Sequence, residues 1–404
     1  MTTPFDIQAI RSQFPALVDA AHPITFLDSA ATTQKPLAMI QSLDSFYRQH
    51  SANVHRGSHQ LTASLTQRFE QARDTVRDLL NARDRKEIIW TRGATEALNL
   101  VAQSWARSTL QPGDEILVSE LEHHANIVPW QIVAEQTGAV VVKIPMTSDC
   151  TLDMDAFHQR LTAKTRIVAV AHITNVTGTR NPIETIIAAA HARGAIAVID
   201  GAQGIVHETV DVQALDADFY VFSGHKLFGP SGIGVLYGKQ ALLEAMPPWH
   251  GGGKMVEKVS FEGTQYTGLP GKFEAGTPNI ASTIALAESI HWLNGIDRQG
   301  AERHIHALRQ KALDGIKDID GLRIIGLQPE ASLFSFVVDG IHHHDIATLL
   351  DEQGVTLRAG NHCAHPMLDA LGLTGTLRVS LALYNTEEDI ERFVAALHKA
   401  CDLL

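Results

Sequence analysis

Ile199-Asp200-Gly201-Ala202-Gln203 and, one crossover later, Phe222-Ser223-Gly224-His225-Lys226 decide how this chain is read. Each stretch begins where a short apolar run ends, at Ile196–Ile199 and at Phe219–Phe222, with no polar alternation inside the run. Such strands are covered on both faces, as in a parallel sheet flanked by helices. Working outward, runs of the same kind recur at Ile88–Trp90, Ile116–Val118, Val140–Val142, Ile167–Val170 and Val235–Tyr237. Helical stretches lie between them, among them about Thr95–Arg107, with Thr95 in the N-cap region, and about Ala125–Gly138. These supply the long crossovers that parallel strands need. The expectation is a large α/β domain over residues 25–280 with a mostly parallel sheet.

From about Ile280 the pattern changes. One long helical stretch, about Ala281–Asp318, precedes strands near Leu322–Ile325 and Leu333–Val338, a helix near Asp345–Gln353, a strand near Leu377–Ala382 and a closing helix from about Glu387. This predicts a smaller α+β domain over residues 281–404, joined by the N-terminal segment 1–24.

Composition narrows the function classes. Over 404 residues, 45% are hydrophobic and 19% charged, a globular balance. Acidic residues outnumber basic ones 45 to 33, for a net charge of -12, which argues against nucleic-acid or anionic-membrane partners. No apolar run approaches the ~20 residues needed to span a bilayer. The opening Met-Thr-Thr-Pro-Phe-Asp-Ile-Gln has neither the basic nor the apolar region of a secretory signal. Three cysteines, Cys150, Cys363 and Cys401, are too few and odd in number for a disulfide framework. A cytoplasmic enzyme is expected.

Ligands of open α/β sheets sit beyond the carboxyl ends of the strands. Here those ends read Gly93-Ala94-Thr95, Glu122-His123-His124-Ala125-Asn126, His172-Ile173-Thr174-Asn175, Asp200-Gly201-Ala202-Gln203 and Ser223-Gly224-His225-Lys226. The first offers backbone N–H groups at a helix start, suited to a phosphate, although a Thr at a helix start is more often a plain cap. An Asp ending a buried strand requires a cation. Lys226 can meet that need in a structural ion pair. Alternatively, Asp200 faces a protonated pyridine nitrogen while Lys226 bonds the aldehyde on the same ring, which is the pyridoxal 5′-phosphate (PLP) arrangement. Ser223 and His225, beside a glycine, tilt the reading toward PLP.

The Asp200–Gln203 and Ser223–Lys226 stretches resemble the fold-type I PLP enzymes of the class V aminotransferase group. Asn53-Val54-His55-Arg56-Gly57, Glu122–Asn126, Gly276-Thr277-Pro278-Asn279 and Arg358-Ala359-Gly360-Asn361-His362-Cys363-Ala364 are similar to cysteine desulfurases, in particular to their SufS/CsdA-like group. The usual Arg-x-Gly-His-His-Cys-Ala motif carries Asn361 in place of its first His. The resemblance implies roles. Lys226 holds PLP and moves the Cα proton; Asp200 faces the ring nitrogen; Gln203 donates to the phenolate; His123 stacks on the ring and exchanges protons. Thr95, Ser223 and His225 bind the phosphate, joined by Thr277 from the other subunit of a homodimer. Asn175 and Arg378 bind the substrate carboxylate.

Cys363 decides the specific activity. It sits between His362 and Ala364 in a glycine-containing loop, where a thiolate beside a cationic His362 would be reactive. Cys150 and Cys401 read as inert small hydrophobes. The implied reaction takes L-cysteine to L-alanine, leaves a persulfide on Cys363 and passes its sulfur to a SufE/CsdE-like acceptor protein. Cysteine sulfinate and selenocysteine are implied as further substrates. A class V aminotransferase and a non-catalytic PLP-binding scaffold are the rivals; neither has a use for Cys363. His342-His343-His344 lacks metal-site spacing and reads as a solvated helix entry. Gly251-Gly252-Gly253-Lys254 reads as a loop near the entrance, and His55 and Arg56 as neighbours of the pocket. Asp28-Ser29-Ala30-Ala31 reads either as small residues beside substrate or as a tight turn.

Overall fold

The computed structural model describes residues 3–404. A short strand, β1 (Thr25–Phe26), precedes the main sheet, which is built from β2 (Ile88–Thr91), β3 (Glu115–Ser119), β4 (Val140–Ile144), β5 (Thr165–Ala171), β6 (Ile196–Asp200), β7 (Phe219–Ser223) and β8 (Gly234–Gly238). Their order is β2-β8-β7-β6-β5-β3-β4, parallel except for β8, which runs antiparallel to both neighbours. Residues on one strand alternate between two cores. Leu117, Val168, Ile199 and Phe222 enter one of them, and Ile116, Ala169, Val198 and Val221 the other. That is why these runs carry no polar residues. Helices Ala94–Val101 and Val128–Thr137 cover one face; Gln60–Leu80, Ile183–Ala192 and Ile280–Asn294 cover the other. The fold is α/β, a mixed sheet flanked by helices.

After an exposed hairpin, β9 (Val256–Ser260) and β10 (Gly263–Tyr266), the chain builds a second sheet from β11 (Leu322–Ile325), β12 (Leu333–Val338), β14 (Arg358–Gly360) and β15 (Thr376–Ser380). Its order is β11-β12-β15-β14, all antiparallel. The remaining strand, β13 (Val355–Thr356), pairs in parallel with β1, and Asp28 bridges to Ser380. The N-terminal segment thereby lies against the second sheet, and Arg11 reaches Asp389 on the closing helix Glu387–Leu403 at 3.1 Å.

Three expectations need correction. The long helix over Ala281–Asp318 is two helices, Ile280–Asn294 and Arg298–Ile316. Asp297 caps the second by accepting the Gly300 N–H (3.0 Å), so a local start signal overrides a continuous apolar period. Thr95 is not the N-cap of its helix; Gly93 is, and Thr95 sits in the first turn. The His342–His344 run is not fully solvated, because His343 is buried against Gly375, where any Cβ would meet the imidazole at 2.5 Å. The 21-residue helix Gln60–Leu80, absent from the sequence reading, packs Leu65, Phe69, Ala72, Val76 and Leu80 inward at three- and four-residue spacing.

Candidate active site

Because β8 is antiparallel on both sides, β2 and β7 point the same way and their carboxyl ends emerge together. The approach is close. A Cβ on Gly234 would strike the Gly93 backbone at 2.4 Å, so glycine is required for β8 to pass there. The Ala94 N–H at the helix start donates to Ser223 Oγ (2.9 Å), tying the small-residue turn to the lysine-bearing loop. Between this edge and the second sheet lies a cleft of about 330 Å³. Thr95, His123, Asn175, Asp200, Gln203, Ser223, His225, Lys226, Cys363 and Arg378 all line it.

Electrostatics at the sheet edge follow from burial. Asp200 is 7% exposed and its side chain accepts only the Ala202 N–H (3.0 Å). Desolvation raises its pKa, against the pull of that N–H and of the Lys226 charge. Lys226 is pushed down by burial and makes no ion pair or hydrogen bond among the described residues; Asp200 only partly offsets the push. A half-buried amine without partners among the described residues and a buried carboxylate with one donor form an incomplete pair of charges. His123 is brought down to about 4 by burial and then by Lys226. Its Nδ1 accepts the Ala125 N–H (3.0 Å), so the neutral ring carries its proton on Nε2. Burial also brings His225 to about 4. Its carbonyl takes Thr33 N–H (3.1 Å) and Lys35 Nζ (2.7 Å), which locks the Lys226 loop. Gln203 is held by donating its Nε2 to the Ala30 carbonyl (2.9 Å).

The opposite wall comes from the second sheet. Arg378, on β15 and 3% exposed, donates to the Asn175 carbonyl (3.0 Å) and to Asp28 Oδ1 (3.4 Å), and its Nε has no partner. Burial lowers its pKa to about 10, opposed by Asp28. Asp28 also takes Arg358 Nη2 at 2.7 Å. The turn-or-spacer choice for residues 28–31 therefore resolves into both: Ala30 and Ala31 line the cleft, and Asp28 anchors two guanidiniums. Sequence reasoning missed Lys35, and it named Asp28 and Arg358 only within their motifs, without the ion pair that joins them.

Cys363 is exposed on a loop pinned from across the cleft. Asn175 Nδ2 donates to the His362 carbonyl (2.8 Å), and the His124 N–H donates to the Cys363 carbonyl (2.7 Å). The expected cation at His362 is absent. Its ring is buried beside Thr376 Oγ1 (2.7 Å), and desolvation followed by Arg378 takes it to about 3. The basic groups facing the thiol across the cleft are Arg378 and Lys226 instead. Cys150 is buried and its thiol pushed up to about 11, as an inert residue requires.

Thr277 stands apart, exposed and 3.4 Å from Asn53 Nδ2, outside this cleft. His55, paired with Glu70 at 2.9 Å, and Arg56 do not line it either. Lys254 donates to Asn53 Oδ1 (3.0 Å) and the Val54 carbonyl (3.2 Å), tying the glycine-rich loop to the same segment.

PLP presents an aldehyde, a basic ring nitrogen, a phenolate and a phosphate. Lys226, half-buried and unpaired among the described residues, the under-donated Asp200 and the N–H groups opening the helix after Gly93 supply complementary chemistry at three separate points. The residues present fit the group.

Comparison with known proteins gives one answer. A family model for class-V aminotransferases matches residues 25–393. A probable cysteine desulfurase of Vibrio cholerae is 66% identical over 99% of both chains. The cysteine desulfurase CsdA of Escherichia coli is 50% identical over 99% of both chains. A crystal structure of that Escherichia coli CsdA superposes with a TM-score of 0.94 at 49% identity, covering 100% of each chain.

Proposed function

This chain belongs to the class-V aminotransferase family, and from that premise we infer how its cleft works. The protein is a cysteine desulfurase that uses pyridoxal 5′-phosphate. When bound, the cofactor supplies a covalent handle and an electron-withdrawing ring that ease bond breaking beside the amino acid's α-carbon. Lys226 holds it and, once released, moves the proton at Cα; its depressed pKa favours the free amine needed for both tasks. Asp200 supplies a buried negative charge for the ring nitrogen. Thr95, Ser223 and His225 serve the phosphate and Gln203 the phenolate. His123, neutral with Nε2–H toward the cleft, stacks on the ring and passes protons.

Arg378 and Asn175 take the substrate carboxylate, a task for which Arg378 Nε is free. The Cys363 thiolate then bonds to the sulfur of L-cysteine while the substrate's carbon–sulfur bond breaks. Its electron pair stays with the carbon, which is protonated to give L-alanine, and the sulfur remains as a persulfide on Cys363. Exposure of Cys363 suits onward transfer to a SufE/CsdE-like acceptor in the cytoplasm. Thr277, exposed and outside its own cleft, fits a homodimer in which it serves the other copy's phosphate site. Cysteine sulfinate and selenocysteine are further substrates in this reading.

The observation that carries the reading is an exposed thiol on the same cleft as Lys226 and Arg378, for which transamination has no use. After treatment with L-cysteine, mass spectrometry should find one added sulfur on the Cys363 peptide. Cys363→Ala should stop alanine formation from cysteine yet spare cysteine sulfinate, which can lose sulfur dioxide without a nucleophile. Equal loss on both substrates would contradict the mechanism.

A further inference from the structure

The turn that presents Cys363 is unusual. His362 and Cys363 are consecutive non-glycine residues with φ of 55° and 52°, and the Ala364 N–H closes the turn onto the Asn361 carbonyl (3.0 Å). Positive φ at both central positions is the mark of a turn that ordinarily selects Gly or Asn there, because a Cβ is disfavoured. Two bulky L-residues stay in it only if their surroundings fix them. Across the cleft, Asn175 and His124 hold the two carbonyls. The Cys363 N–H is held from within the loop: it donates to Asn361 Oδ1 at 2.8 Å.

We propose that Asn361 is a positioning residue for sulfur acceptance, its side-chain carbonyl holding the Cys363 N–H so that the thiol faces the substrate. The proposal rests on the desulfurase reading and names the residue that sets its thiol geometry. Asn361 stands where the resembling motif has His, and this chain shows that an imidazole nitrogen can do the same job. His59, His123 and His342 each accept, through Nδ1, a backbone N–H two or three residues onward, at 3.2, 3.0 and 3.2 Å. The acceptor, rather than the amide as such, is therefore what the turn uses.

The test compares two substrates on the holoenzyme. In Asn361→Ala the acceptor is gone, and a displaced nucleophile should slow alanine formation from L-cysteine by about 100-fold. Turnover of cysteine sulfinate, which bypasses the thiol, should stay within about two-fold. Asn361→His, assayed at pH 8 with a neutral ring, should keep cysteine turnover within about three-fold of the starting protein. Parallel loss on both substrates, unchanged cysteine turnover in Asn361→Ala, or failure of Asn361→His to retain it would each overturn the proposal. Cys363→Ala assayed alongside separates the two levels. If that variant still desulfurates cysteine, the reading of the thiol itself is wrong; if it does not, the outcome bears on Asn361 alone.

Discussion

Two walls meet in one cleft and are built on opposite plans. At the carboxyl edge of the seven-stranded sheet, ionisable groups are buried or half-buried and left short of partners: among the described residues Lys226 has none, Asp200 accepts one N–H, and His123 and His225 are held neutral by desolvation. At the rim of the four-stranded sheet the groups are paired. Asp28 joins Arg358 and Arg378, and the Cys363 turn is tied down at three backbone groups. The first wall has electrostatic demand left over for a bound group; the second has its geometry settled beforehand. Reactivity thus comes from one side and alignment from the other.

The sharpest way to break that contrast is to remove Lys226. Lys226→Ala should depress alanine formation from cysteine and from cysteine sulfinate alike, by at least about 1000-fold, because the edge serves every substrate. A variant that kept one activity would show the two walls are not divided as described. Next in size is Asp28→Asn, which removes the anion shared by the two arginines. The KM for L-cysteine should rise about ten-fold with a smaller change in kcat, since carboxylate alignment is lost rather than bond breaking. Denaturant titration should show a loss of roughly 3 kcal/mol, the usual result of stranding a buried charge.

Acid stability probes the desolvated wall. His123, His225 and His362 are lowered from 6.5 to about 4, 4 and 3, so the unfolded chain binds more protons than the folded one below pH 6.5. Stability therefore rises with pH through this window, and the denaturation midpoint should fall most steeply between pH 6.5 and 4. Glu122, a single group against three, gives the opposite effect. It is fully buried with Oε1 on Asn126 Nδ2 (2.7 Å) and Oε2 unpartnered, and burial lifts it from 4.5 to about 8. The folded protein holds that proton more tightly, so its contribution is intact below pH 4.5 and lost as pH rises through 8. Glu122→Gln should raise the midpoint at pH 9 relative to the parent and change it little at pH 4.5, by the same titration.

The sheet-edge wall was legible from sequence for a physical reason. A strand buried on both faces writes a continuous apolar run, and the first polar residue after it must lie at the ligand-bearing edge, as Asp200 and Ser223 do. The rim wall left weaker marks. Its strands are short, and β14 is three residues long. Asp28 acts on arginines 330 and 350 positions away, a pairing no local pattern encodes. Family resemblance located Cys363 and Arg378, but adjacency misled about His362: a neighbour in the chain turned its ring toward Thr376. The helix over residues 60–80 escaped notice because its inward residues are diluted by a strongly polar outer face.

The reversed strand β8 has a consequence for synthesis. β2 hydrogen-bonds to β8 alone in its sheet, Ile88 opposite Tyr237. While the chain emerges from the ribosome, the strand that leads into the helix after Gly93 waits without a sheet partner until nearly 150 more residues have been added. Closing so long a loop is slow, and the exposed edge must survive in the meantime. A premature stop anywhere before β8 would leave a nascent chain whose binding turn has nothing to lean on.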